Sequence, residues 1–167
     1  MKRVKGFTLV ETLVAIAVLM IAVVGPYYIV QQSIDAAFAS RDQLIAASLA
    51  QDGVEYIYYV RNANYFAGRS WLNGLDGCRT DMGSTACTLD TFQGQISRCD
   101  SSCSPLKLNS NNIYQYRSGS TTKFTRTASI TYDPAYPNQA KVSVVVRWTS
   151  INNNYVITVN ETLYNWL

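Results

Sequence analysis

The sequence contains no histidine. That absence removes a histidine-based nucleophilic triad, a histidine-ligated zinc site and the usual neutral-pH general base. Charge is scarce as well: 15% of the residues are Asp, Glu, Lys or Arg, against about 25% in an ordinary soluble domain. With hydrophobic residues at 48%, the 167 residues hold one domain's worth of chain and more apolar material than a soluble fold of that size needs. The formal charge of +3 would point weakly to an anionic partner if it were spread over the chain. It is not spread: Lys2, Arg3 and Lys5 stand together without an acid, and from Phe7 onward basic and acidic residues balance at 11 each. The charge balance therefore gives no support to a nucleic-acid footprint.

What is present is a long apolar run. Residues 7–30 carry a single charge, Glu11, and none follows until Asp35. As a helix the run is ~36 Å long, enough for a bilayer core of ~30 Å. Cations before it and a near-neutral flank after it predict a cytoplasmic N-terminus, with Tyr27 and Tyr28 near the far interface. A buried core helix is one alternative, against which a chain of this size rarely hides so long an apolar run. A secretory signal peptide is the competing reading, because Ala37-Phe38-Ala39 has the small-x-small form of a cleavage site. Against it, the run exceeds an h-region of about 7 to 15 residues and has Glu11 in its opening turn.

The order of features is more specific than the run alone. A short basic leader, then Gly6-Phe7-Thr8-Leu9-Val10-Glu11, then the apolar run, resembles the processing site of type IV pilins and their relatives, among them type II secretion and competence pseudopilins. The resemblance covers roughly the first 30 residues. It implies that a prepilin peptidase cuts between Gly6 and Phe7, that the new amine of Phe7 is N-methylated, and that Glu11 meets that amine on a neighbouring subunit during filament assembly. The residues support this logic independently. Gly6 puts no Cβ in a peptidase cleft. A carboxylate in hydrocarbon costs about 2.5–3.5 kcal/mol on insertion scales, so Glu11 needs a partner. A plain acid complementing the helix dipole is the simpler alternative for Glu11. Gly25 and Pro26, late in the span, bend and soften a helix; the resemblance implies a kink or a locally melted stretch there, with a simple kink as the alternative.

From Gln31 to about Asn62 the pattern becomes that of a surface helix. Ile34, Phe38, Ile45, Leu49, Tyr56 and Val60 form one stripe, with Asp35, Arg41, Asp42, Asp52 and Glu55 expected toward solvent. Span and continuation together predict one long helix whose apolar half needs lipid or copies of itself around it. Residues 63–112 are rich in Gly, Ser, Thr and Asn and hold Cys78, Cys87, Cys99 and Cys103. A structureless loop of that length is out of keeping with a compact domain. An even cysteine count outside the cytoplasm predicts disulfides. Of three possible connectivities the local pairs Cys78–Cys87 and Cys99–Cys103 are expected. A four-thiolate zinc site competes, with the spacing between Cys78 and Cys87 too wide for a ligand pair.

The final third alternates with a period of two. Strands are predicted at 141–149 and 155–163 around a turn at Asn152-Asn153-Asn154, at 124–132, and in a shorter piece at 113–117. Strand 155–163 turns Tyr155, Ile157, Val159 and Leu163 to one face. The expected class is α+β: a long N-terminal helix, transmembrane then amphipathic, packed on a C-terminal antiparallel sheet. The expected organisation is a leader at 1–6, an anchor and filament-core segment at 7–30, an amphipathic segment at 31–62, the disulfide-bearing region at 63–112 and the sheet at 113–167.

No spacing of acids singles out a catalytic pair, so no enzyme, cofactor or metal is expected. The resemblance implies a structural subunit in the cytoplasmic membrane, N-terminus inside, later drawn into an extracellular filament. The implied partners are other pilin subunits, a prepilin peptidase, and an assembly platform with its ATPase. Nucleic acid enters only indirectly, if the filament takes up DNA. A Val-rich strand with Trp148 and a terminal Asn165-Trp166-Leu167 resembles a minor pilin more than a major one. The remaining alternatives are a pseudopilin and a secreted or anchored binding domain with an ordinary signal sequence. Single aromatics such as Trp71 are not diagnostic.

Overall fold

A computed structural model of the chain describes residues 6–150 and 153–165. Lys2, Arg3, Lys5, Asn152, Trp166 and Leu167 lie outside the described residues. One helix, α1 (Leu9–Phe66), is followed by 3-10 turns at Asp76–Cys78 and Thr80–Met82 and by eight strands. These are β1 (Cys87–Asp90), β2 (Gln95–Arg98), β3 (Lys107–Leu108), β4 (Tyr114–Gln115), β5 (Ser120–Thr121), β6 (Thr125–Tyr132), β7 (Gln139–Ser150) and β8 (Asn153–Tyr164). The class is α+β as expected: a long N-terminal helix and an antiparallel sheet that its C-terminal half covers. The chain divides into two units between Asp42 and Gln43, and each has its own character.

In the first unit every Val, Leu, Ile, Met, Phe and Tyr from Phe7 to Val30 is more than half exposed. Burying one such side chain is worth about 1.5–3 kcal/mol. This segment therefore leaves tens of kcal/mol of burial unrealised, and water is not its working environment. Among the described residues it is the one stretch of helix long and apolar enough to cross a membrane. Ile34 and Phe38, assigned to the buried stripe, are 44% and 54% exposed.

The second unit holds the core. Its main sheet runs β2-β1-β6-β7-β8, with a smaller sheet β4-β3-β5, and every strand pair is antiparallel. Val142, Val144, Val146 and Trp148 of β7 and Ala128 and Ile130 of β6 are buried, the alternation that the sequence predicts. The helix meets them with Ala46, Leu49, Ala50, Gly53, Val54 and Ile57, all buried. Ile45, Tyr56 and Val60 of the expected stripe sit half-buried beside this line. Small residues take the centre because the helix approaches the sheet closely: a Cβ on Gly53 would lie 3.0 Å from Cγ1 of Val144. A search for large apolar residues misses a seam of that kind.

Three boundaries differ from the expectation. The helix continues four residues past Asn62 and ends in a glycine cap: Arg69 N–H bonds the Asn64 carbonyl at 2.9 Å, Gly68 N–H bonds that of Tyr65 at 3.0 Å, and Gly68 has φ of 62°. That pattern satisfies carbonyls which the helix end orphans. Asn153 and Asn154 belong to β8 rather than to a turn, pairing with Ser150 and Thr149. The stretch read as a disulfide-bearing loop contributes β1 and β2 to the main sheet. Asp42 is buried, 7% exposed, not solvent-facing. Trp71 is half-buried, with its ring edge-on to Tyr132 at 6.3 Å.

Candidate processing and assembly site

Gly6, Phe7 and Thr8 are not helical; Leu9 is the first helical residue. The Gly6–Phe7 bond thus lies two residues upstream of the helix, where backbone N–H and C=O groups are not committed to the i→i−4 ladder and stay free for a cleft. Nothing lies within 4 Å of the place a Gly6 Cβ would occupy. The folded chain does not itself demand glycine there, so any such demand comes from a partner that grips the backbone.

The start of the helix is fixed by Thr8. Its Oγ1 accepts the Glu11 N–H at 3.3 Å, and its carbonyl accepts the Thr12 N–H at 3.2 Å. Thr12 in turn donates its hydroxyl to the Leu9 carbonyl at 2.8 Å. Thr8 is the N-cap and Glu11 stands at the third helical position, the T-x-x-E spacing of a capping box. That spacing is visible in the sequence, where Thr8 carries the signal for the start of the helix. Glu11 is exposed in the first turn, where the helix dipole favours an anion and disfavours a cation. Phe7, 81% exposed, carries the amine that cleavage would create. Left alone at the positive end of its own helix, such an amine gains from an external carboxylate.

Residues 1–25 match the family model of the prokaryotic N-terminal methylation motif. The chain carries the type IV prepilin-like signal. No curated protein and no solved structure matches the chain. The prepilin-like signal spans Gly6, Phe7, Glu11 and most of the apolar run, and stops at Gly25. Pro26, next to it, lies inside a helix that stays continuous; it withholds the hydrogen bond that an N–H there would give to Ala22.

The globular unit is stapled by two disulfides. Cys78 pairs with Cys87 and Cys99 with Cys103, which leaves no thiol among the four for the zinc alternative. The first disulfide is fully buried and ties a 3-10 turn to β1. The second closes a short ring in which Asp100 has φ of 43°. The Asp100 carboxylate accepts the Thr85 N–H at 2.8 Å and Nε of Arg98 at 2.6 Å. Those two bonds, the backbone one foremost, hold its pKa down at about 2. Arg79 binds Asp81 at 2.5 Å, a hydrogen bond that lowers the pKa of the acid and raises that of the base. Burial pushes the Tyr116 phenol up to about 12 while its hydroxyl donates to the Arg126 carbonyl at 2.9 Å. Asp90 accepts the N–H groups of Gln93 and Tyr116, both at 2.9 Å. These acids do structural work, and among the described residues no three His, Cys, Asp or Glu side chains gather as metal ligands.

Proposed function

We propose that the protein is a structural, non-catalytic subunit of a type IV filament, a minor pilin. A prepilin peptidase cuts after Gly6, Phe7 receives the methyl group on its new amine, and residues 7–30 anchor the subunit in the cytoplasmic membrane with its N-terminus inside. The same segment then passes from lipid into a bundle of like helices. That exchange of one apolar setting for another has no hydrophobic driving force of its own, so an assembly ATPase and a platform protein must supply the work. Glu11 of one subunit pairs with the Phe7 amine of the next and sets register more than it adds stability. Gly25 and Pro26 give the helix a place to bend. The observation that carries this reading is the coincidence of the prepilin-like signal at residues 1–25 with a helix whose apolar side chains are all exposed over the same stretch.

The test is Glu11→Ala in the full chain. The variant is expected to insert in the membrane and to be cleaved as the parent is, yet to be depleted at least about tenfold from sheared filament fractions, a loss equivalent to about 1.4 kcal/mol of assembly free energy. Parental recovery in those fractions would remove the pairing role. Glu11→Asp, with a shorter reach, should fall between the two.

A further inference from the structure

The two faces of the main sheet differ in chemistry. One packs on α1. On the other, β6, β7 and β8 turn out mostly Ser, Thr, Asn and Gln side chains, with Val145, Val156 and Tyr164 among them, together with the cations Lys141 and Arg147, and no acid. The single acid of these three strands, Glu161, is paired in register with buried Val142 and so belongs to the opposite face. Since the chain beyond Gly6 is neutral overall, this asymmetry is a property of placement rather than composition.

Part of the outward face is a groove of about 410 Å³. Thr127, Ser129, Ser143 and Val145 line its floor, Arg147 is at one end, and the ring closed by Cys99–Cys103 walls one side. Ser129 and Ser143, opposite each other in the β6–β7 ladder, are half-buried, and their hydroxyls form no hydrogen bond with any described residue. Arg147 is exposed and likewise has no ion pair among them. The groove's one carboxylate, Asp100, is already satisfied by Arg98 and Thr85. A second depression, about 400 Å³, shares Thr125 and Arg147 with the first and reaches Lys123, Trp148, Asn154, Tyr155 and Val156. The first groove is therefore polar and holds uncommitted hydroxyls, with an unpaired guanidinium where it meets the more apolar second depression.

The geometry points to an acidic polysaccharide, a chain of uronate type, as the ligand of this face. Ring hydroxyls match the Ser, Thr and Asn donors and acceptors, and a uronate carboxylate matches the Arg147 fork. Duplex nucleic acid fits less well, because its affinity comes from many phosphate contacts. Lys141 and Arg147 stand six residues apart on one strand, ~20 Å, too sparse for that. A protein partner would meet Val145 on the floor and the exposed Tyr155 and Val156 at one end, a strip along the edge rather than the packed apolar centre of a hot spot. This inference concerns the head and does not depend on the filament reading.

The experiment measures binding of the full chain, in detergent micelles at physiological salt, to oligogalacturonate, to a neutral maltodextrin of equal length and to short duplex DNA. Oligogalacturonate is expected to bind at least about tenfold more tightly than either competitor. Arg147→Gln and, separately, the double variant Ser129→Ala with Ser143→Ala should each weaken it about tenfold or more. Thermal unfolding should stay unchanged, because none of these side chains has a partner in the fold. No measurable binding, equal binding of maltodextrin, or DNA binding as tight as oligogalacturonate would overturn the proposal. Indifference to the serine substitutions would do the same, reducing the site to surface charge alone.

Discussion

Arg126 of β6 brings Nη1 to 2.5 Å from Oδ2 of Asp52 on α1, tying the helix to the middle of the sheet. The guanidinium is fully buried, while the Asp52 side chain is half exposed. Arg126 also donates to the carbonyls of Leu49 at 3.0 Å and Leu89 at 2.5 Å, and Thr91 Oγ1 donates to Asp52 at 2.8 Å. Helix, β6 and β1 thus share one cation. Breaking a fully buried pair from one side costs about 3–5 kcal/mol. With Asp52 half solvated, Asp52→Ala is expected to cost about 1–3 kcal/mol in urea unfolding, and Asp52→Asn less, because the amide oxygen still accepts. Equal stability for Asp52→Ala would mean that the two backbone carbonyls alone satisfy the arginine.

Gly53 and Gly25 should respond unequally to substitution. A Cβ at Gly53 would meet Val144, Arg126 and Leu89 within 3.5 Å, whereas one at Gly25 meets nothing within 4 Å. Alanine is worth up to about 1 kcal/mol over glycine inside a helix, and overpacking a core costs about 1–3 kcal/mol or more. Gly53→Leu is therefore expected to lower stability by about 3 kcal/mol, read in urea, while Gly25→Ala leaves the unfolding of the globular unit unchanged. A neutral Gly53→Leu would show that the helix sits further from β7 than described.

The two disulfides should be unequal. Replacing both Cys78 and Cys87 by Ala opens the longer loop and voids a fully buried site, for an expected loss of about 3–5 kcal/mol. Replacing Cys99 and Cys103 opens a ring of sequence separation 4, with an expected loss of about 2 kcal/mol or less. Denaturant unfolding of the two double variants checks the order, and a reversed order would contradict the assignment of the first disulfide to the core.

Asp100 gives the 99–103 ring a pH dependence. The folded carboxylate titrates at about 2 against a reference value of 3.8. Because the folded value is the lower one, its contribution is complete above about pH 4 and fades as pH falls toward about 2. The Thr85 amide resonance, whose proton the carboxylate accepts, should titrate with a midpoint near 2. A midpoint near 4 would mean that neither Thr85 nor Arg98 holds the acid.

Much of this architecture was legible in the residues, for reasons that can be named. The alternation of Val142, Val144, Val146 and Trp148 is a period-2 signal that tertiary context did not override, and the short spacings of the cysteines made local pairing the economical choice. The seam of Ala46, Ala50 and Gly53 was not legible, because small residues score poorly as a hydrophobic face and their value depends on how near the sheet comes. Arg126 was hidden for the same kind of reason. A cation in a strand reads as solvent-facing until the helix carbonyl and the carboxylate that receive it are in place. Strands β1 and β2 were lost among turn-forming residues, since four-residue strands give too few alternations to count. At the processing site the order of glycine, phenylalanine and glutamate is distinctive, whereas a threonine such as Thr8 is common in many settings and shows its capping role only once its Oγ1 is seen to accept the Glu11 N–H.

The central claim is that the chain is processed between Gly6 and Phe7 and methylated at the new amine. Intact-mass and N-terminal peptide mass spectrometry of the mature protein tests it most directly. The expected result is a chain that starts at Phe7 with a mass increment of one methyl group, and accumulation of unprocessed precursor in Gly6→Glu. A mature chain that begins after Ala39, or normal maturation of the Gly6→Glu variant, would contradict it.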